Sequence, residues 1–215
     1  MNLSSPVASL IPSMDGVVLE VLAGTHSAMG PTRIHELGHR GSRAGVSLAL
    51  GRLVDQGLVL AEPTNYGHTY RLNREHVLTQ AVLAAAEARE EFLRRLTTAC
   101  RSLHPAPVSV ALYGSVARRE SGDASDIDLL IVVDKTHDRY ATEWTNQTDQ
   151  LARGVRAWTG NRLESIVVDA QHLAKLAIAH DPLTLSLRED AVTLVGTDLR
   201  ELLNQAVRSG RGAQA

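Results

Sequence analysis

The chain has 215 residues, 44% of them apolar, and a formal net charge of −2 at neutral pH. That length can bury one large core or two small ones, and the near-balance of charge excludes a protein held to nucleic acid or membrane by a global field. No run approaches the ~20 apolar residues of a membrane-spanning helix and the single cysteine, Cys100, cannot close an internal disulfide, so a soluble cytoplasmic protein without a membrane partner is expected.

The opening stretch to Pro12 is punctuated by Ser and Pro and reads as a loose arm. Val17, Val18, Val21 and Leu22 recur at helical spacing until Gly24, which predicts a short first helix. Pro31 and Thr32 start a second, with Ile34 and Leu37 inward. After a break at Gly38 to Gly41, Ser42 can cap a third helix whose buried stripe is Val46, Leu50, Leu53 and Val54. Gly57 ends it. Leu58 to Ala61 and His68 to Leu72 then read as two strands around the turn Pro63 to Gly67.

From Val77 to Leu103 the sequence is Ala-rich, with Val82, Ala86, Phe92, Leu93 and Leu96 apolar, and predicts one long connecting helix. Its apolar positions either pack on their own domain or serve a second copy of the chain as a homodimer. Beyond the break at His104 to Pro107 come strand Val108 to Leu112, a short helix around Ser115 to Arg119, and strand Ile127 to Val133. Helix Tyr140 to Trp158, strand Leu163 to Val168, helix Gln171 to Ala179 and a last helix near Leu199 to Val207 follow. The expected organisation is a two-domain α+β chain divided as residues 1–75, a connecting helix 76–104 and a C-terminal α/β domain 105–215. Acidic and basic residues divide six to six over 1–75, three to four over 76–103 and fifteen to twelve thereafter. Any nucleic-acid partner must therefore be engaged by a local patch.

The chemistry is concentrated in residues 112–131. A strand ends in Gly114-Ser115 at a helix start, where a missing side chain lets phosphate oxygens approach backbone N–H groups and a hydroxyl adds a donor. After a polar loop, Asp126 and Asp128 stand two apart at the start of a strand, so both side chains point to one face. Their hard oxygens suit a divalent cation such as Mg²⁺. The alternative for the pair is a solvated turn before a strand.

This segment resembles the nucleotidyltransferase superfamily related to DNA polymerase beta, through Gly114, Ser115, Asp126 and Asp128 in the extended forms Gly-Ser-x-Ala-Arg and Ser-Asp-x-Asp-Leu of small bacterial members. The resemblance spans roughly residues 105–205 and implies a nucleotidyltransferase fold with a mixed sheet. It also implies a nucleoside triphosphate as substrate, with Gly114, Ser115, Arg118 and Ser125 as nucleotide-binding residues. Asp126 and Asp128, with a third acidic residue on a later strand, would be catalytic and hold two Mg²⁺ ions; Glu164 is the first candidate for that third position and Asp169 the reserve. Arg119 competes with Arg118 for the phosphates, and Glu120 stands where relatives often carry glycine. An acceptor hydroxyl would attack the α-phosphate and pyrophosphate would leave; the acceptor and the preferred nucleotide are left open.

Three helices followed by a hairpin, with Gly57-Leu58-Val59 after the third helix, resemble a winged helix-turn-helix regulator. That likeness implies double-stranded DNA as partner, met by Arg40, Ser42, Arg43 and Ser47 in the major groove, with His68 or Asn65 on the wing. A protein-binding or dimerising module is the other reading, because six acidic residues offset the six arginines. His35 and His39 lack a third ligand nearby and read as polar surface. Two functions follow: an active nucleotidyltransferase with a targeting module, or a transcriptional regulator whose nucleotidyltransferase-like domain senses nucleotide.

Overall fold

The computed structural model describes residues 1–215 except 135, 137, 138, 140, 179–181 and 213–215. The chain divides into two compact units, residues 2–91 and residues 92–215 with Met1. In the first, α1 (Pro6–Leu10) and α2 (Met14–Ala23) precede α3 (Pro31–Gly38) and α4 (Arg43–Asp55), and the hairpin β1 (Val59–Thr64) and β2 (Gly67–Leu72) leads to α5 (Thr79–Ala86). The core draws Val18 and Leu22 from α2, Ile34 from α3, Val46 and Leu50 from α4, Leu72 from β2 and Val82 from α5. These are the apolar positions that recur at helical or strand spacing, which is why the elements fall close to where the pattern puts them.

Two expectations fail over residues 1–101. The opening residues are not a loose arm: Leu3 and Val7 are fully buried, and the Val7 N–H donates to the Glu20 carboxylate at 2.7 Å. Burial raises the Glu20 pKa against the lowering effect of the N–H groups of Val7 and Ala8. The single connecting helix is also two helices, α5 and α6 (Ala88–Arg101), parted at Glu87, whose N–H reaches the carbonyls of Leu83 and Ala85. Val82, Phe92 and Leu96, offered above as a surface for a second copy, are buried within the chain.

The second unit is built on a mixed four-stranded sheet, order β5-β4-β3-β6. Strand β3 (Ser109–Tyr113) pairs antiparallel with both β4 (Ile127–Val133) and β6 (Val192–Gly196), whereas β4 runs parallel to β5 (Leu163–Asp169). Besides α6 from Phe92 onward, the helices among its described residues are α7 (Gly114–Ala117), α8 (Thr142–Thr159), α9 (Ala170–Ile178), α10 (Pro182–Glu189) and α11 (Leu199–Gly212). The expected helix ends Tyr140 and Ala179 lie outside the described residues. Strand β6 and helix α10 fall between the expected helix Gln171 to Ala179 and the last helix near Leu199, where the pattern predicts no element.

The central strand β4 explains itself physically. Leu130 and Val132 face one cluster with Ala111, Tyr113, Val168, Leu173, Leu187, Leu199 and Leu203, while Leu129 and Ile131, on the other face, are equally inaccessible. A strand covered on both faces reads as a continuous apolar run, and Leu129 to Val133 is one. Alternation along β4 then places Asp128 on the Leu130 face, at the strand end where the run stops. Leu130→Ala should lower the stability of this unit by about 2–5 kcal/mol, read as a shift of its urea unfolding midpoint relative to wild type.

Candidate active site

The site begins where β3 turns directly into α7. Gly114 makes the turn at φ 72°, a left-handed conformation that L side chains adopt at a cost. A Cβ there would also run into the Asp128 carboxylate, so two independent constraints demand glycine. The N–H groups of Arg118 and Glu120 donate to the carbonyls of Gly114 and Ser115 at 3.1 and 2.9 Å, which closes α7 into a short knuckle with Ser115 half-buried at its start.

Register assembles the acidic groups. In the antiparallel pair Tyr113 stands opposite Asp128, and in the parallel pair Asp128 stands beside Glu164. Neighbouring strands lie about 4.8 Å apart, so Tyr113, Asp128 and Glu164 form one row across three strands on a single face. Asp126 precedes β4 by one residue and shares the parity of Asp128; the Ile127 N–H, donated to the Arg162 carbonyl at 2.9 Å, anchors the strand start between them. Burial raises the Asp128 pKa, the charges of Asp126 and Glu164 raise it further, and Arg118 opposes them. The same surroundings push the Tyr113 phenol up to about 12, chiefly by burial and then by Asp128 and Glu164. It stays neutral at physiological pH.

Among the described residues no three His, Cys, Asp or Glu side chains are drawn together closely enough to hold a metal ion. One cause is visible: Glu164 is turned to Arg162, Nε to Oε1 2.7 Å. The alternative third carboxylate, Asp169, lies five residues further along β5, paired with Val133; at about 3.3 Å per residue that is some 16 Å from the row. It instead accepts from the N–H of His172 at 2.6 Å, at the start of α9.

Arg118 is exposed and bound by two carboxylates, Glu120 and Asp190, each at 2.9 Å, which raise its already high pKa. Glu120, the departure from glycine, thus has a partner, and Asp190, just past the end of α10, ties that helix to α7. The Ser125 hydroxyl accepts from the Gly122 N–H at 2.8 Å, and the Ser125 carbonyl accepts from the Asn161 amide at 2.8 Å. Asn161 and Arg162 therefore brace the loop that delivers Asp126; no local signal marks them, since their partners are some 36 residues away. Arg119 sits outside the carboxylate row at φ 61°.

In the first unit Arg40, Ser42, Arg43 and Ser47 are all exposed, the first two before α4 and the last two on it. Ser42 serves as the helix cap, accepting from Gly45 N–H at 3.1 Å. A His35 ring nitrogen lies 3.2 Å from the Gly41 carbonyl oxygen. The tip residue Tyr66 is fully exposed, and His68 packs at an angle beside Tyr70 on β2.

The nucleotidyltransferase-domain family model matches residues 93–191. That span contains the Gly114 bend and the whole acidic row, so the chain carries a nucleotidyltransferase domain, an enzyme domain. Among solved structures, a toxin-antitoxin complex with AMP-PNP is 16% identical, covering 57% of this chain and 89% of that one with a TM-score of 0.39. A mutant of the toxin-antitoxin pair MntA-HpeT is 14% identical over 57% and 88%, TM-score 0.38. A protein described as a nucleotidyltransferase from Sulfolobus solfataricus is 20% identical over 49% and 85%, TM-score 0.29. No curated protein matches the chain.

Crowding at Asp128 has a stability cost with a definite sign. Its folded pKa is raised, so below about pH 4 folded and unfolded chains both keep the proton, and stability is lost as pH climbs through the folded value. Asp128→Asn should therefore raise the melting temperature of the metal-free protein at pH 7, and the gain should shrink on acidification to pH 4. A variant that melts below wild type at pH 7 would show that the carboxylate is not crowded.

Proposed function

We propose that the chain is a divalent-metal-dependent nucleotidyltransferase that moves a nucleoside monophosphate from a nucleoside triphosphate to an acceptor hydroxyl. The observation that carries this reading is the row Asp128–Glu164 with Asp126 beside it, set against the Gly114 bend inside the residues matched by the family model. The donor set fits a hard cation: carboxylate oxygens of like charge raise the pKa of Asp128, and a divalent ion relieves that repulsion. Mg²⁺ held by Asp126, Asp128 and Glu164 would supply charge neutralisation on the phosphates and activate the acceptor hydroxyl. For Glu164 to take part, its carboxylate has to leave Arg162.

The protein's own groups divide the remaining work. Gly114 admits phosphate oxygens to the backbone because no side chain stands in the way, and Ser115 offers a hydroxyl at the same bend. Arg118, at the foot of the knuckle, can add positive charge to the departing pyrophosphate. Ser125, through its link to Asn161, keeps the Asp126 loop in place. The acceptor oxygen bonds to the α-phosphorus, the bond to the pyrophosphate oxygen breaks, and the hydroxyl proton passes to a carboxylate or to water. The intact set of acidic residues favours turnover over a pure nucleotide sensor.

For residues 2–91 we propose a winged helix-turn-helix that targets the enzyme to double-stranded DNA. The order α2, α3, α4 and hairpin supports it, as do Arg40, Arg43 and Ser47 exposed at the start of α4. Arg43→Ala should weaken retention of the chain's own upstream DNA in a gel at low salt by roughly ten-fold, as expected for about 1.4 kcal/mol at one arginine contact; no retention by wild type would reject DNA as the partner.

Removal of one preorganised group that meets developing charge costs at least about a hundred-fold in rate. Pyrophosphate release from labelled triphosphates with Mg²⁺ should fall at least that far in Asp128→Ala. Equal release by wild type and variant would sink the catalytic assignment.

A further inference from the structure

Helix α8 covers the sheet face turned away from the acidic row. Leu163, the neighbour of Glu164 in β5 and so on the opposite side of the strand, borders a surface basin with Arg162 and with Arg153 and Arg156 of α8. A different stripe of the same helix, at three- and four-residue spacing, meets the end of α6 across a cleft of about 310 Å³, a size at which small molecules are held. All of its lining falls within residues 92–215. Leu103 and Leu151, both buried, form the floor. Gly154 and Trp158 form one wall. A glycine inside a helix weakens it, and here the indole takes the space: a Cβ at Gly154 would stand 3.3 Å from Trp158 Cζ2 and 3.5 Å from Cη2. The six-membered ring thus lies over bare backbone, and half-buried Trp158 keeps part of its surface open to the cleft.

Two amides stand on this stripe, and only one is spent. Gln147 is tied to the chain: its Nε2 donates to the His104 carbonyl at 2.6 Å and its Oε1 accepts from the His104 N–H at 2.7 Å. Gln150 is exposed and makes no hydrogen bond with another described residue. The Ser102 hydroxyl donates to the Ala99 carbonyl at 2.7 Å, which leaves its oxygen able to accept. Among the described residues no charged side chain lines the cleft. We infer that this cleft binds an uncharged purine nucleoside, its base laid on Trp158 and its donor–acceptor edge read by Gln150. A glutamine amide meets adenine in two hydrogen bonds, accepting from N6–H and donating to N7, and an aromatic ring rewards any flat base laid on it. Ser102 can accept from a ribose hydroxyl. A packed apolar helix from a protein partner would instead leave the Gln150 amide buried and unpaired, at a cost. With no cation in the lining, a phosphate finds no counterpart there, which separates the cleft from the Gly114 bend. Nothing in this depends on turnover at the acidic row.

The test uses the full-length chain without triphosphate or metal. Adenosine binding is read by calorimetry and by tryptophan fluorescence, which reports on the cleft because the chain has two tryptophans and Trp144 is buried. Wild type should bind with a Kd of about 0.1 mM, ordinary for a ligand of roughly nineteen non-hydrogen atoms, and with a quenching that Trp158→Phe removes. Gln150→Leu should weaken binding at least ten-fold. N6,N6-dimethyladenosine, which lacks the donor, should bind wild type more weakly by a similar factor and show no further loss on Gln150→Leu. Unchanged melting temperatures establish that the variants are folded. By the fluorescence signal, ATP should bind no more tightly than adenosine, and Asp128→Ala should bind adenosine as wild type does. No heat and no quenching up to about 1 mM adenosine, equal binding by Gln150→Leu, quenching that survives in Trp158→Phe, or tighter binding of ATP each overturns the inference. Loss of adenosine binding in Asp128→Ala would put the nucleoside at the acidic row and overturns it as well, while leaving the nucleotidyltransferase reading in place.

Discussion

Like charges held together at the end of an apolar strand are the constraint around which the second unit is organised. Ionised carboxylates repel one another, and the chain nonetheless brings Asp126, Asp128 and Glu164 to one face because β4 and β5 are locked in register by residues buried on both sides. The apolar run from Leu129 to Val133 fixes the strand, and the strand fixes the carboxylates. Arg118 and Arg162 temper the repulsion from two directions without removing it, as the raised pKa of Asp128 records. Stability given up at such a site is what a ligand of opposite charge can recover.

The legible parts of this protein are those in which chemistry and periodicity coincide locally. Gly114, Ser115, Asp126 and Asp128 fall within fifteen residues, and the glycine is needed for its backbone angle and for the space it leaves to Asp128. Helix α4 carries its own cap in Ser42, and β4 its own burial pattern. What stayed hidden depends on distant partners. Strand β6 is short and half-exposed, and only its pairing with β3, about eighty residues earlier, makes it a strand. Helix α1 looks like a polar arm until Glu20 accepts its backbone N–H. The break at Glu87 leaves no mark in an alanine-rich stretch that favours helix throughout.

The choice between Glu164 and Asp169 illustrates the same point. Both occupy β5, and spacing alone leaves them open; register puts Glu164 beside Asp128 and Asp169 at the opposite end of the sheet. Charge balance behaves likewise. Residues 104–215 are net acidic, yet Arg153, Arg156 and Arg162 converge on one basin while the carboxylates concentrate a few residues away. A bulk count averages over that polarity.

Arg118 is already satisfied by Glu120 and Asp190, and Asp190 reaches it only because β6 returns alongside β3. An incoming anion gains this guanidinium only by outcompeting two carboxylates. Ions of low charge density, chloride or a lone monophosphate, have little to offer in that exchange, whereas a polyphosphate has several oxygens in a row. The brace therefore acts as a threshold for any anion that approaches Arg118, and added salt, which screens such exposed pairs, lowers it.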